Sequence, residues 1–284
     1  MKYFLSIAYL TFIIALSSCT TYRYMYAASP ANDPYFTQKG ESKLTGYYSS
    51  SSHNRVSNEF ADGIDLQSAY AIGNHWALTA GYYNRRERDG FSSFYNFYDT
   101  STINYKRNLL DIGGGYFVPL NIKKDIVFNL FGGLAFGKFS LKDNGIDKNL
   151  SAYSRYHDSR ITKYYFQPAI NFMPGQYVRF SFITKFSFVH YGDIATSYTP
   201  EELQYFSLSR IKNKTISFFE PSLNLQLGLP EYPWIKLDAV LSATSQPLDN
   251  GINYTGNEVV RLKSRGSNAS IGLSFDFSKM KRRK

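Results

Sequence analysis

An unbroken two-residue alternation near the end of the chain most limits what it can fold into. Across residues 269–277, Ala269, Ile271, Leu273, Phe275 and Phe277 alternate with Ser270, Gly272, Ser274 and Asp276. Successive side chains on a strand point to opposite faces, so this stretch has one apolar face and one small, polar face. The pattern recurs upstream. Ile64, Leu66, Tyr70 and Ile72 alternate with Asp65, Gln67, Ala69 and Ala71, and Phe180, Phe182, Phe186 and Phe188 with Arg179, Ser181, Lys185 and Ser187. The 25 Tyr and 23 Phe among 284 residues favour strands, and no Pro/Ser-rich linker divides the chain. One all-β domain is expected.

About ten strands follow one another, and their connections alternate in kind. Short turns fall at Gly73, Asn121, Pro174 and Pro230. Long polar loops fall near Ser52, Gly90, Lys148, Pro200 and Gly251, and the run 85–90 reads as a charged loop. Outer-membrane barrels place short turns on the periplasmic side and long loops outside, with an even strand number. The expected fold is therefore a single antiparallel up-and-down transmembrane β-barrel spanning 41–277, with both termini periplasmic. Several strands reach about 16–20 residues, more than the roughly 9–11 that cross a bilayer, so the excess projects on the loop side. Trp76 and Trp234 follow short turns, and Phe117, Phe172, Tyr177 and Phe277 lie at comparable heights, as a lower aromatic girdle would. The architectural alternative is a soluble lipocalin-like barrel with the aromatic face packed inside.

The first residues read as an export leader: Lys2, an apolar run over 3–15, then Leu16-Ser17-Ser18-Cys19. That tetrad resembles the bacterial lipobox, whose cysteine becomes the first mature residue and carries lipid. Cys19 is the sole cysteine of the chain. The alternative is an ordinary leader cleaved after Ala27 or Ala28. Residues 1–18 are thus expected to be a lipoprotein signal peptide, 19–40 a periplasmic tether and 278–284 a basic tail. The segment ending at Phe277 resembles the C-terminal signal of bacterial outer-membrane proteins, departing from it by that tail. Phe166-Gln167-Pro168-Ala169-Ile170-Asn171-Phe172 and Phe219-Glu220-Pro221-Ser222-Leu223-Asn224-Leu225 are near copies, and a bulge or bend is expected at each proline. With the lipobox, the mature chain resembles the small outer-membrane β-barrel lipoproteins of Bacteroidota, which implies fold and location but no activity.

No zinc cluster, phosphate loop or nucleophile elbow is present, and no cofactor is expected. His157-Asp158 and His190…Asp193 fall at the outer ends of neighbouring strands. Outer-membrane proteases of the omptin type use a His–Asp pair at that height, but no matching acidic pair stands on the opposite wall. The bland alternative is rim residues bonded locally. Asp65, Asp111, Lys163, Arg179, Lys185, Glu220, Lys236, Asp238 and Asp276 take lumen positions. Their mixed signs suggest a salt-bridged filling in a bore of this size, with a narrow solute channel as the rival. Arg85, Arg86, Arg88, Arg155, Arg160, Lys212 and Arg261 are expected near the outer rim, where lipopolysaccharide phosphates or an envelope protein partner could dock. The spread of the +10 net charge and the envelope address argue against nucleic acid. Thr199-Pro200-Glu201-Glu202 has the marks of a helix start in the longest loop. The expected role is structural, binding or accessory, through the outer loops; a rim-sited hydrolase ranks below a channel.

Overall fold

The computed structural model describes residues 24–51, 60–92, 100–147, 149–175, 177–206, 208–212, 214–246 and 263–280. The leader, Cys19 and tail residues 281–284 lie outside them. The elements in chain order are β1 (Tyr24–Tyr26), β2 (Ser42–Ser51), β3 (Phe60–Ala71), β4 (Trp76–Ser92), β5 (Thr100–Pro119), β6 (Ile126–Ile146), β7 (Ala152–Phe172), β8 (Val178–Thr196), helix α1 (Pro200–Tyr205), β9 (Thr215–Gly228), β10 (Ile235–Ala243), β11 (Lys263–Ser264), β12 (Ser267–Asp276) and a final helical turn, α2 (Phe277–Met280). Ten strands close into one barrel in the order β10-β12-β2-β3-β4-β5-β6-β7-β8-β9, every pair within it antiparallel. Closure leaves the barrel no open edge.

The alternation resolves into outside and inside. Ile64 is 68% exposed and Trp76 58%, with Leu66, Leu78, Leu110, Ile112, Phe136, Phe182, Leu223, Leu241 and Ile271 also on the outer surface. Asp65, Gln67, Lys185, Ser187, Glu220, Asp238 and Ser274 are buried on the inner face. A soluble barrel would show the reverse, so the lipocalin-like alternative does not hold. Near the short turns, Trp76 meets Tyr116 edge-on at 5.4 Å, Phe172 stacks on Phe180 at 5.0 Å and Tyr232 meets Trp234 at 6.3 Å. Phe117 is not part of this girdle. It points inward and packs on Phe36 with ring centroids 6.0 Å apart.

Two local expectations fail for reasons of register. Neither proline makes a bulge: each pairs on one side, Leu130 with Pro168 and Thr184 with Pro221, and interrupts the ladder on the other, where β7–β8 pairing skips Gln167 and Pro168 and β9–β10 pairing stops at Ser222. The irregularity lies higher, between Asp158 and Arg160 of β7, opposite Gly192 to Ala195 of β8. Asp193 there adopts φ 48°, which absorbs the extra residue on β8. The run 85–90 is not a loop either: β4 continues to Ser92, placing Arg85, Glu87 and Asp89 inside and Arg86 and Arg88 outside. Glycines in β5 and β6 serve a close approach. A Cβ on Gly113 would stand 2.8 Å from the Tyr165 hydroxyl and one on Gly133 2.7 Å from it. The space they leave lets Tyr165 donate to Asp111 at 2.8 Å.

Candidate functional site

Residues 24–36 occupy the bore. The tether expected outside the barrel is instead a strap running through it. Met25 is fully buried, and Tyr26, Ala28, Ala31, Tyr35 and Phe36 are nearly so. The bonds of the strap descend one wall residue by residue. Tyr191 donates to the Met25 carbonyl at 2.9 Å, Lys163 to the Tyr26 hydroxyl at 2.7 Å, Lys185 to the Ser29 carbonyl at 3.4 Å and Gln167 to the Asn32 carbonyl at 3.2 Å. Lower still, Asn129 and Asn171 donate to Asp33 at 2.6 and 3.0 Å, and the Tyr35 hydroxyl bonds Ser181 at 3.0 Å. Gly40 then pairs with Ala71 at the short-turn end, where β2 begins. The strap enters at the long-loop mouth and leaves at the other end. Tyr24, the first described residue, thus stands at the mouth opposite to that of the C-terminal α2.

Polar satisfaction explains why an aperiodic strap fits. Its small residues Ala27, Ala28, Ser29 and Ala31 fill a narrow bore, and its backbone carbonyls accept from the inward Lys43, Gln67, Gln167, Lys185 and Tyr191. An unpartnered polar group in such a place is costly. Charges pair around it. Glu220 lies 3.8 Å from Lys163 and 3.7 Å from Lys185 and accepts from Tyr26 at 2.6 Å. Arg179 stands 3.3 Å from Asp276, which Lys236 also pairs, and Lys43 stands 3.6 Å from Asp238. The sequence expectation of a salt-bridged interior holds, with the strap as its unforeseen part.

The upper third closes differently. Tyr105, Phe139, Leu141, Ile161, Val189 and Phe218 converge on Met25 and Tyr26, and Tyr198, Leu208 and Ile211 of the long loop cover them. Helix α1 begins as the sequence predicts. Thr199 caps it, Pro200 opens it and Glu202 completes a capping box. Arg155 reaches Glu202 at 3.2 Å and ties the lid to β7. At the mouth, β1 pairs in parallel with β11, and Arg265 lies 3.9 Å above the Tyr24 ring while bonding Glu87 and Asp89 at 2.7 Å each. Arg107 bonds both Glu87 and the Tyr24 carbonyl.

The proposed rim residues separate. Arg86 and Arg88 are exposed. Arg85 is 3% exposed and pairs with Asp65 at 2.9 Å in the lumen, so it is not a rim contact. His157 is 1% exposed beneath the lid, against Phe139, and is no rim contact either. Burial pushes its imidazole down to about 4, against the pull of Asp158, which keeps it neutral. His190 pairs in register with Thr162, five positions along β7 from His157, and points outward. Asp193 is exposed and bonds Arg160 at 3.0 Å. The two His–Asp pairs thus do not converge.

A feature the sequence reading did not assemble appears on the outside. Adjacent ladder positions of β4–β7 bring Arg86 beside Lys106, Arg88 and Lys142 on either side of Asn104, and Lys138 beside Arg160. All six are exposed, and Asp62, directly opposite Arg86, together with Asp158 and Asp193 are their acidic neighbours. The band stands directly above Tyr82, Leu110 and Phe136 of the apolar belt.

An apolar belt outside and a polar, filled interior define a transmembrane β-barrel of the outer-membrane type. Neither a protein-family model nor a curated protein matches the chain. Solved structures match over most of its length. Ail, the attachment invasion locus protein of Yersinia pestis, is 14% identical, over 84% of this chain and 99% of that one, with a TM-score of 0.34. The translocator domain of autotransporter NalP from Neisseria meningitidis is 11% identical, over 84% and 88%, with a TM-score of 0.44. OprG from Pseudomonas aeruginosa is 11% identical, over 86% and 99%, with a TM-score of 0.32.

Proposed function

We propose that this chain is a closed outer-membrane barrel lipoprotein, anchored through Cys19, that acts by its outer face as a structural, binding or accessory component of the envelope. The buried strap carries this reading. A bore in which Lys185, Gln67, Gln167 and Tyr191 donate to backbone carbonyls of the strap supports a filled lumen over an open channel. The apolar belt supports the membrane address, and the outward separation of His190 from His157 supports a non-catalytic role. In planar bilayers the purified full chain should show no unitary current steps; stable open steps would replace this reading with the channel.

The partner class follows from the cation band. Guanidinium and ammonium groups just above the apolar belt on the loop side stand where the phosphates of outer-leaflet lipopolysaccharide lie. Each cation near an anionic surface contributes about 1 kcal/mol, so changing Arg86, Lys106, Lys138 and Lys142 together to Gln should cost up to about 4 kcal/mol of lipopolysaccharide binding. Binding measured with lipopolysaccharide micelles at low salt should fall accordingly. Equal binding by wild type and variant would remove the band as a headgroup site.

A further inference from the structure

We infer that the amino end of the chain is displayed at the outer mouth, on the same side as the long loops and opposite the C-terminus. This rests on the barrel orientation proposed above but is tested separately from it. Three independent contacts fix the direction. Tyr24 and Tyr26 pair with Lys263 and Ser264 just before β12 starts from its loop end. The Tyr24 amide donates to the Tyr105 hydroxyl at 3.3 Å, and Arg107 holds its carbonyl. Tyr105 and Arg107 lie on β5 beyond Leu110, the last apolar residue of the outer belt on that strand. Arg265, itself 2% exposed, covers the Tyr24 ring from the mouth.

Length then decides which leaflet an N-terminal lipid can reach. Five peptide units separate Cys19 from Tyr24 and span at most about 18 Å when fully extended. The apolar belt of such a barrel is about 25 Å tall. The way back through the bore is filled by the strap itself. A lipid on Cys19 can therefore pass over the rim into the outer leaflet, but cannot reach the inner one. The strap turns a leader-proximal segment into one presented beside the loops. Its acyl chains, the cation band and the lid helix would then share one surface.

The test uses full-length protein in cells, with a short epitope inserted singly after Thr21, after Asn96 in the β4–β5 loop, or after Lys284. Antibody labelling is compared on intact and permeabilised cells. The epitope after Thr21 should label on the same side as the loop epitope, with complete loss of that labelling for the C-terminal epitope. An amino-terminal epitope that labels only with the C-terminal one overturns the inference. The loop epitope alone reports the orientation: were it hidden on intact cells while the C-terminal epitope labelled, the proposed orientation would fail, yet the same-side inference would still be decided. A second measurement needs no epitope. In a Cys19→Ser background, Ala31→Cys and Ala169→Cys, which pack together in the bore, should be bridged by a short bismaleimide and change gel migration. Absence of a bridge in heat-modifiable, folded protein would also overturn the inference.

Discussion

Deleting residues 24–37 is expected to strip the barrel of most of its resistance to urea. Met25, Tyr26, Tyr35 and Phe36 are each at most 3% exposed. Burial of such side chains contributes about 1.5–3 kcal/mol apiece, so their loss removes about 6–12 kcal/mol. That is comparable with the whole stability of an ordinary domain, about 5–15 kcal/mol. The wall suffers as well, because Asn129, Asn171, Lys185 and Gln167 lose their partners on the strap. The strap is thus part of the core of the barrel and not a passenger within it. Urea unfolding in detergent micelles, followed by tryptophan emission and heat-modifiable migration, gives the comparison. A deletion variant with the wild-type midpoint would show that the bore stands without its filling.

Glu220→Ala should be the most damaging single substitution in the lumen. It leaves Lys163 and Lys185 facing each other in the bore, with the Tyr26 hydroxyl deprived of its acceptor. Removing one partner of a buried ion pair costs about 3–5 kcal/mol, because the remaining charge cannot be hydrated. The same reasoning predicts a rescue. Adding Lys163→Met and Lys185→Met to Glu220→Ala should recover part of the loss, since it removes the two facing ammonium groups and leaves only Asp111, which both lysines also face, with the Tyr165 hydroxyl as its partner. The half-buried Arg155–Glu202 pair at the lid is the contrast, and Arg155→Ala should shift stability by only about 0–1 kcal/mol. If Glu220→Ala were as mild as Arg155→Ala, or if the triple variant were worse than the single, the lumen cluster would not be a coupled unit.

The strap left a trace in the sequence that a pattern search overlooks. Residues 24–36 carry a single charged side chain, Asp33, among aromatics, Ala, Ser, Pro and Asn. Flexible tethers are rich in solvated polar groups, so so few charges beside four aromatic residues pointed to burial. No period revealed it, because a segment enclosed on all sides has no solvent face to alternate with. The cation band was equally hidden. Arg86, Lys106, Lys138 and Arg160 are far apart in the chain and meet only through ladder register. Arg85 and Phe117 were misassigned by one step of parity, since a strand that runs on through a presumed loop, or a girdle judged by height alone, fixes no inward or outward sense.

Alternation and turn spacing by themselves determined the barrel, its strand number near ten, its apolar exterior and its charged interior. These follow from a two-residue period that each strand carries locally, and hydrophobic burial reads that period the same way wherever the strand lies. The capping box at Thr199 was fixed locally too. Only the tertiary structure decided that the N-terminal segment fills the bore, that Tyr24 exits beside the long loops and that scattered cations form one band. Each of these depends on closure of the sheet. Closure creates an enclosed volume whose polar lining needs partners, and brings distant strands into one register, and neither requirement is written in any single stretch of the chain.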